Sequence, residues 1–315
     1  MSKTKKVWLT VAGILTALGL VTVGIALAAG GGDGQQPGGT DYVSHSYEIS
    51  GDFDGIDILA QREDIELVLT DGVCRVVCQE AEDSRHTVQV QNGTLRIAAE
   101  REKWYDLSLS AQPKTTVYLP RNSYAALHID GGTGSVSIPA DFTFGSVAVE
   151  VDTGDILCLA SASGMMELET DTGSIRAEGL QAASLHCSAD TGSVHISSAA
   201  IAGELDVETN TGKLELTEIR CAALEAESKT GSIRLQSVVA AGVLTIEGGT
   251  GSVQLEDSDA GQLSIETTTG SVTGTLRTGK QFIVESAHGR VSVPNSTDGG
   301  RCEVKTSTGD IHIEI

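Results

Sequence analysis

The stretch Leu185-His186-Cys187-Ser188-Ala189-Asp190-Thr191-Gly192-Ser193-Val194-His195-Ile196 puts apolar residues at alternate positions on both sides of a Thr-Gly corner. A period of two is the signature of a half-buried strand, whereas a helix would need 3.6. Working outward, the corner glycine returns as Gly134, Gly154, Gly173, Gly212, Gly231, Gly251, Gly270, Gly289 and Gly309, always 19 or 20 residues apart. Thr precedes it everywhere except at His288. A fixed period sustained this long marks a repeat architecture.

Two positions after each glycine stands a branched aliphatic: Val136, Ile156, Ile175, Val194, Leu214, Ile233, Val253, Val272, Val291 or Ile311. Seven and five positions before it the pattern repeats, as in Leu205/Val207, Leu244/Ile246 and Cys302/Val304. Two short strands per coil cannot bury an apolar face alone, but they can when identical coils stack. The expectation is an all-β parallel β-solenoid, a β-helix of about ten coils over residues 126–315. Short parallel crossovers favour a right-handed one.

Residues 42–125 lack the strict repeat but alternate in the same way, as in Ile65-Glu66-Leu67-Val68-Leu69, with an Asn92-Gly93 turn. They are read as degenerate coils that cap the membrane-proximal end. The far end shows no cap, so the strand Asp310 to Ile315 is expected to be a free edge through which copies of the chain could self-associate.

Ahead of these, Val7 to Ala29 is free of charge and long enough to span a ~30 Å hydrocarbon core. Lys3, Lys5 and Lys6 precede it, which places residues 1–6 in the cytoplasm and the rest outside. The expectation is a single transmembrane anchor over 7–29 in the cell membrane. Ala26-Leu27-Ala28 leaves a cleaved signal peptide as the alternative. Residues 30–41, rich in glycine, read as a flexible linker.

The net charge of -22 argues against nucleic acid as a partner. Aromatics at 3% and 37 glycines suit a thin core of small aliphatics under many tight turns.

Ile56-Asp57-Ile58, Asn92-Gly93-Thr94-Leu95-Arg96-Ile97, Thr116-Val117-Tyr118-Leu119-Pro120 and the Thr-Gly-Ser/Asp corners together resemble a DUF4097-like bacterial family of unknown function. Its members are described as putative adhesins with β-strand repeats, some of them membrane-anchored envelope-stress proteins. The resemblance implies a cell-surface β-helix and brings no catalytic residues with it.

Several patterns invite a chemical reading. Asp152-Thr153-Gly154, Asp171-Thr172-Gly173 and Asp190-Thr191-Gly192 match the aspartic-protease triplet, yet here the triplet is the repeat corner, where Asp is a favoured turn residue. Four residues before each glycine lies an outward column of Asp130, Glu150, Glu169, Ser188, Glu208, Glu227, Glu247, Glu266, Glu285 and Lys305. Carboxylates stacked ~4.8 Å apart repel one another. Either weak Ca²⁺ or Mg²⁺ binding relieves this, or the column is a solvated acidic face.

The seven His show no ligand spacing, no Cys-x-x-Cys pair exists, and most of the six Cys read as small buried hydrophobes. The expected function is a non-catalytic surface scaffold that binds an unknown protein or glycan. A polysaccharide-binding or polysaccharide-cleaving β-helix is the alternative, against which stands the lack of any insertion that could wall a groove.

Overall fold

A computed structural model describes residues 42–80, 85–99, 112–296 and 298–315. The expected cytoplasmic tail, anchor and linker lie outside these residues. Among the described residues no helix is long and apolar enough to cross a membrane, and every regular element is a strand.

The strands stack as parallel ladders. In one ladder Ser184–Thr191, Glu204–Thr211 and Ala223–Thr230 follow each other in register, with Leu185 opposite Leu205 and Leu205 opposite Leu224. In the second, Val194–Ser197 pairs with Leu214–Thr217, which pairs with Ile233–Gln236. The predicted columns form the core: Leu185, Cys187, Val194, Ile196, Leu205, Val207, Leu214 and Ile233 are all at most 1% exposed. Each Leu or Ile so buried contributes about 1.5–3 kcal/mol of transfer free energy.

Each regular coil carries a third strand that the sequence reading lacked. Gln181–Ala182, Ala200–Ile201 and Arg220–Cys221 form a third parallel ladder. It buries Ala182, Ile201 and Cys221, and the corners leading into it bury Leu180, Ala199, Ile219 and Val238. Strands of two residues are too short for alternation to register in a sequence.

Two features build the Thr-Gly corner. Gly173 has φ 152°, which a side chain disfavours. More decisively, a Cβ on Gly173 would overlap the carbonyl oxygen of Gly154 one coil away, and the same overlap recurs up the stack. Glycine is therefore required by close approach between coils. Buried hydroxyls then hold those carbonyls: Thr170 donates to Gly154 O at 3.0 Å, Thr209 to Gly192 O at 3.1 Å and Thr306 to Gly270 O at 3.1 Å.

The last of these bonds reveals an unexpected order. The strand Val253–Thr269 pairs with Gly300–Thr308, and Gly300–Thr308 pairs in turn with Lys280–His288. Val272–Leu276 likewise pairs with Ile311–Glu314, which pairs with Val291–Ser292. The coil that comes last in sequence thus lies between the two that precede it. This corrects the expected free edge: Asp310 to Ile315 is an inner layer, and the outermost strands are Lys280–His288 and Val291–Ser292. Ile283 and Val291 are 49% and 44% exposed there.

The opposite end follows the same plan. Gly55–Ala60 lies between Thr94–Ala99 and Ser123–Thr133. Asp64–Leu69 lies between Lys114–Leu119 and Val136–Ile138. Beyond that outer coil the chain turns antiparallel. Arg75–Glu80 pairs with Lys114–Leu119, Val43–Glu48 pairs with Arg75–Glu80, and His86–Gln91 pairs with Thr94–Ala99. Leu95, Ile97, Val117 and Leu119 are consequently fully buried.

Candidate functional site

The acidic column forms as expected. Glu150 stands opposite Asp130 and Glu169, Glu208 opposite Glu227, Glu227 opposite Glu247, and Glu247 opposite Glu266. The Glu169 carboxyl is pushed up, first by partial burial and then by the charge of Glu167 beside it. Its neighbour His186 approaches Glu169 at 3.6 Å and Asp206 at 3.0 Å. The interleaved end changes the top of the column: Lys305 lies opposite both Glu266 and Glu285.

Asp152, Asp171 and Asp190 are exposed on successive corners and turn outward. Asp190 Oδ1 accepts a hydrogen bond from the Asn210 amide, and Lys229 donates to Asn210 Oδ1 at 2.6 Å. These contacts run along the outside of the stack, with no shared proton between two carboxylates.

All six cysteines are free and buried. Burial raises Cys74 and Cys221 to about 11, and Cys158 and Cys302 to about 12, so none of these four is a thiolate nucleophile at neutral pH. A shallow open groove runs along the third ladder, lined by Ala182, Ala200, Ile201, Arg220 and Cys221.

The structure also assembles a polar cluster that the sequence reading missed. It lies in the antiparallel strands at the end opposite the exposed coil. Cys78 Sγ, a Glu80 carboxylate oxygen and a His86 ring nitrogen all lie within 4.8 Å of one another. Glu80 is fully buried and accepts from the Tyr47 hydroxyl at 2.8 Å and the His86 backbone N–H at 2.7 Å, with His86 Nδ1 at 2.9 Å. His86 Nε2 meets Glu63 Oε1 at 2.8 Å. His45 Nδ1 comes within 2.9 Å of Glu80 Oε2.

Burial opposes charge on the His86 imidazole, but its contacts with Cys78 and Glu63 outweigh this and raise it to about 11. Burial likewise works against the Glu80 carboxylate, yet the hydrogen bonds from His86 and Tyr47 hold it below its ordinary range. No ligand spacing marks the histidines in the sequence, yet His45 and His86 both reach the Glu80 carboxylate. The available signal was two-residue spacing, His45/Tyr47 and Cys78/Glu80, which puts each pair on one strand face. What sequence could not supply was the antiparallel pairing that sets His45 opposite Cys78.

Repeated coils, corner glycines closed against one another and an antiparallel end together define a parallel β-solenoid of tandem repeats. The chain belongs to the Toastrack DUF4097 family, whose model matches residues 53–237 and again 202–315.

Among solved structures it is similar to a putative adhesin from Parabacteroides distasonis, at 14% identity and a TM-score of 0.54, over 74% of this chain and 96% of that one. It is also similar to a putative adhesin from Bacteroides fragilis, at 17% identity and a TM-score of 0.45, over 89% of this chain and 100% of the other. A third, described as a putative lipid binding protein from Parabacteroides distasonis, is 15% identical with a TM-score of 0.43, over 86% and 96%. At 14% identity the likeness to the first of these concerns the fold alone. No curated protein matches the chain.

Proposed function

We propose that the chain is a membrane-anchored extracytoplasmic scaffold of the adhesin type, which presents long repetitive strand faces to a protein or glycan at the cell surface and performs no catalysis. The observation that carries this reading is the regularity of the coils. Corners such as Thr172-Gly173 and Thr191-Gly192 are as short as the stacked glycines allow, so no loop on them is long enough to wall a pocket. Polar side chains on the regular coils pair along the faces, as Arg234 does with Glu256 and Arg277 with Asp257. His186, between Glu169 and Asp206, likewise sits on an open strand face, without the enclosing walls that a catalytic site builds around its acid and base.

In this reading Val7 to Ala29 is the anchor and residues 30–41 hold the solenoid away from the bilayer. The acidic column is a solvated face that keeps the solenoid soluble.

The test is protease shaving of intact cells followed by mass spectrometry. Release of peptides from 126–315, with 7–29 retained in the membrane fraction, is the expected result. Protection of the repeats would overturn the topology, and turnover of labelled glycans by the purified chain would replace the scaffold with an enzyme.

A further inference from the structure

We propose that Cys78, Glu80, His86 and His45 form a binding site for a single transition-metal ion of the Zn²⁺ type, with Glu63 as the residue that orients His86.

Three donors of suitable chemistry, from Cys78, Glu80 and His86, meet in one place, and a fourth, His45, reaches Glu80 from the facing strand. A thiolate, two imidazoles and a carboxylate are the ligands that borderline cations such as Zn²⁺ take in tetrahedral sites. The Cys78, Glu80 and His86 donor atoms already lie within 4.8 Å of each other. Zinc–ligand bonds of about 2.0–2.3 Å would bring them to roughly 3.3–3.8 Å, a contraction of about 1 Å. His45 is the Cα partner of Cys78 across the antiparallel pair, so its ring faces the same cluster.

The state of His45 Nδ1 points the same way. It is buried and has no hydrogen-bond partner, although Glu80 Oε2 is only 2.9 Å away. The short approach therefore lacks hydrogen-bond alignment, and a buried nitrogen without a partner is costly unless something else satisfies it.

The surroundings are those of a metal ligand as well. Metal-bound histidines commonly donate their second N–H to a carboxylate, which fixes the ring and the tautomer. Glu63 Oε1, 2.8 Å from His86 Nε2, stands where that carboxylate belongs, and Glu63 is itself only 7% exposed. The Tyr47 hydroxyl, 2.8 Å from Glu80 Oε1 and 3.0 Å from Oε2, steadies the Glu80 carboxylate.

Charge and protons balance. Coordination displaces the Cys78 thiol proton and the His86 Nδ1 proton to solvent, and the thiolate and the Glu80 carboxylate neutralise a divalent ion. The ligands come from Val43–Glu48, Arg75–Glu80 and the start of His86–Gln91, so the ion would pin together the antiparallel strands that close this end.

The experiment uses the full chain, stripped with a chelator and titrated with Co²⁺ and then Zn²⁺. One equivalent of Co²⁺ should give intense visible bands of tetrahedral cobalt and a near-ultraviolet thiolate-to-cobalt band, both removed by one equivalent of Zn²⁺. C78S should abolish the charge-transfer band. E63Q should weaken affinity about 10–100-fold, as loss of a carboxylate behind a metal-bound histidine does, while keeping the band.

Should C78S not fold, H45A, which alters a partly exposed ring, serves in its place and should lower affinity at least tenfold. Absence of cobalt bands in the wild-type chain, or bands unchanged in both C78S and H45A, would overturn the site.

Discussion

Lys305 stands directly across from Glu266 in the parallel ladder, although Glu285 comes between them in sequence. Stacked in sequence order, Glu266 would face Glu285 and the lysine would sit at the far end. The interleaved order places the cation between the two carboxylates, and Lys305 also meets Glu303 at 2.5 Å.

K305E would extend the run of Glu208, Glu227, Glu247 and Glu266 unbroken through position 305 to Glu285. The melting temperature should fall at low ionic strength and recover most of the loss at high salt, because exposed charges are screened over about a Debye length. A loss that salt does not reduce would mean that the lysine acts through packing.

Two glycines test the origin of the corner. A Cβ on Gly192 overlaps the carbonyl oxygen of Gly173, while Gly179, at φ 66°, has nothing within 4 Å of its Cβ position. G192A should cost more than about 3 kcal/mol in urea unfolding, whereas G179A should cost only the ~1–2 kcal/mol of left-handed backbone. Equal losses would refute the close-approach account.

Lys280 is buried at 4% exposure and meets Asp259 Oδ1 at 2.5 Å, Ala260 O at 2.8 Å and Thr278 Oγ1 at 2.8 Å. Burial opposes the Asp259 carboxylate, but hydrogen bonds from Lys280 and Thr278 outweigh this and hold it below its ordinary range. K280M leaves a buried carboxylate without its cation and should cost about 3–5 kcal/mol at neutral pH. A depressed folded value means that the wild-type contribution is complete above about pH 4 and is lost as pH falls further. Chemical denaturation of both proteins from pH 7 to 3 should show the difference narrowing only at the acid end.

Neutralising the middle of the acidic column in E208Q/E227Q/E247Q should raise the melting temperature at low salt. On a solvated face, millimolar Ca²⁺ leaves wild type and variant alike unchanged. A calcium-dependent rise that the triple variant lacks would instead assign cation binding to the column.

All six thiols are buried, so a thiol reagent should label the native chain slowly. It should label six thiols after unfolding without reductant. Fewer than six would reveal a disulfide.

Much of the repeating body was legible because its signal is redundant: Leu205, Val207 and Leu214 occupy columns that recur at each corner glycine. The third ladder was hidden by its brevity. The order of the end coils was hidden for the opposite reason, since coils that share one register pack interchangeably and period alone cannot rank them. Two departures in the sequence do mark the exchange. His288 replaces threonine in the outermost coil, and Lys305 breaks the acidic column where it intervenes. The Cys78 cluster escaped notice because its members sit on non-repeating strands, where only pairing reveals proximity.

The interleaved ends also constrain how such a chain can change length. At each end one coil is gripped between two others, and a repeat that followed Ile311–Glu314 along the chain would start from an inner layer already paired on both sides. Between Gly134 and Gly270 the coils follow one another in simple succession, and any of them could be copied or deleted while the register on both sides is kept. Variation in the number of coils is therefore expected to arise by internal duplication, with both terminal arrangements left intact.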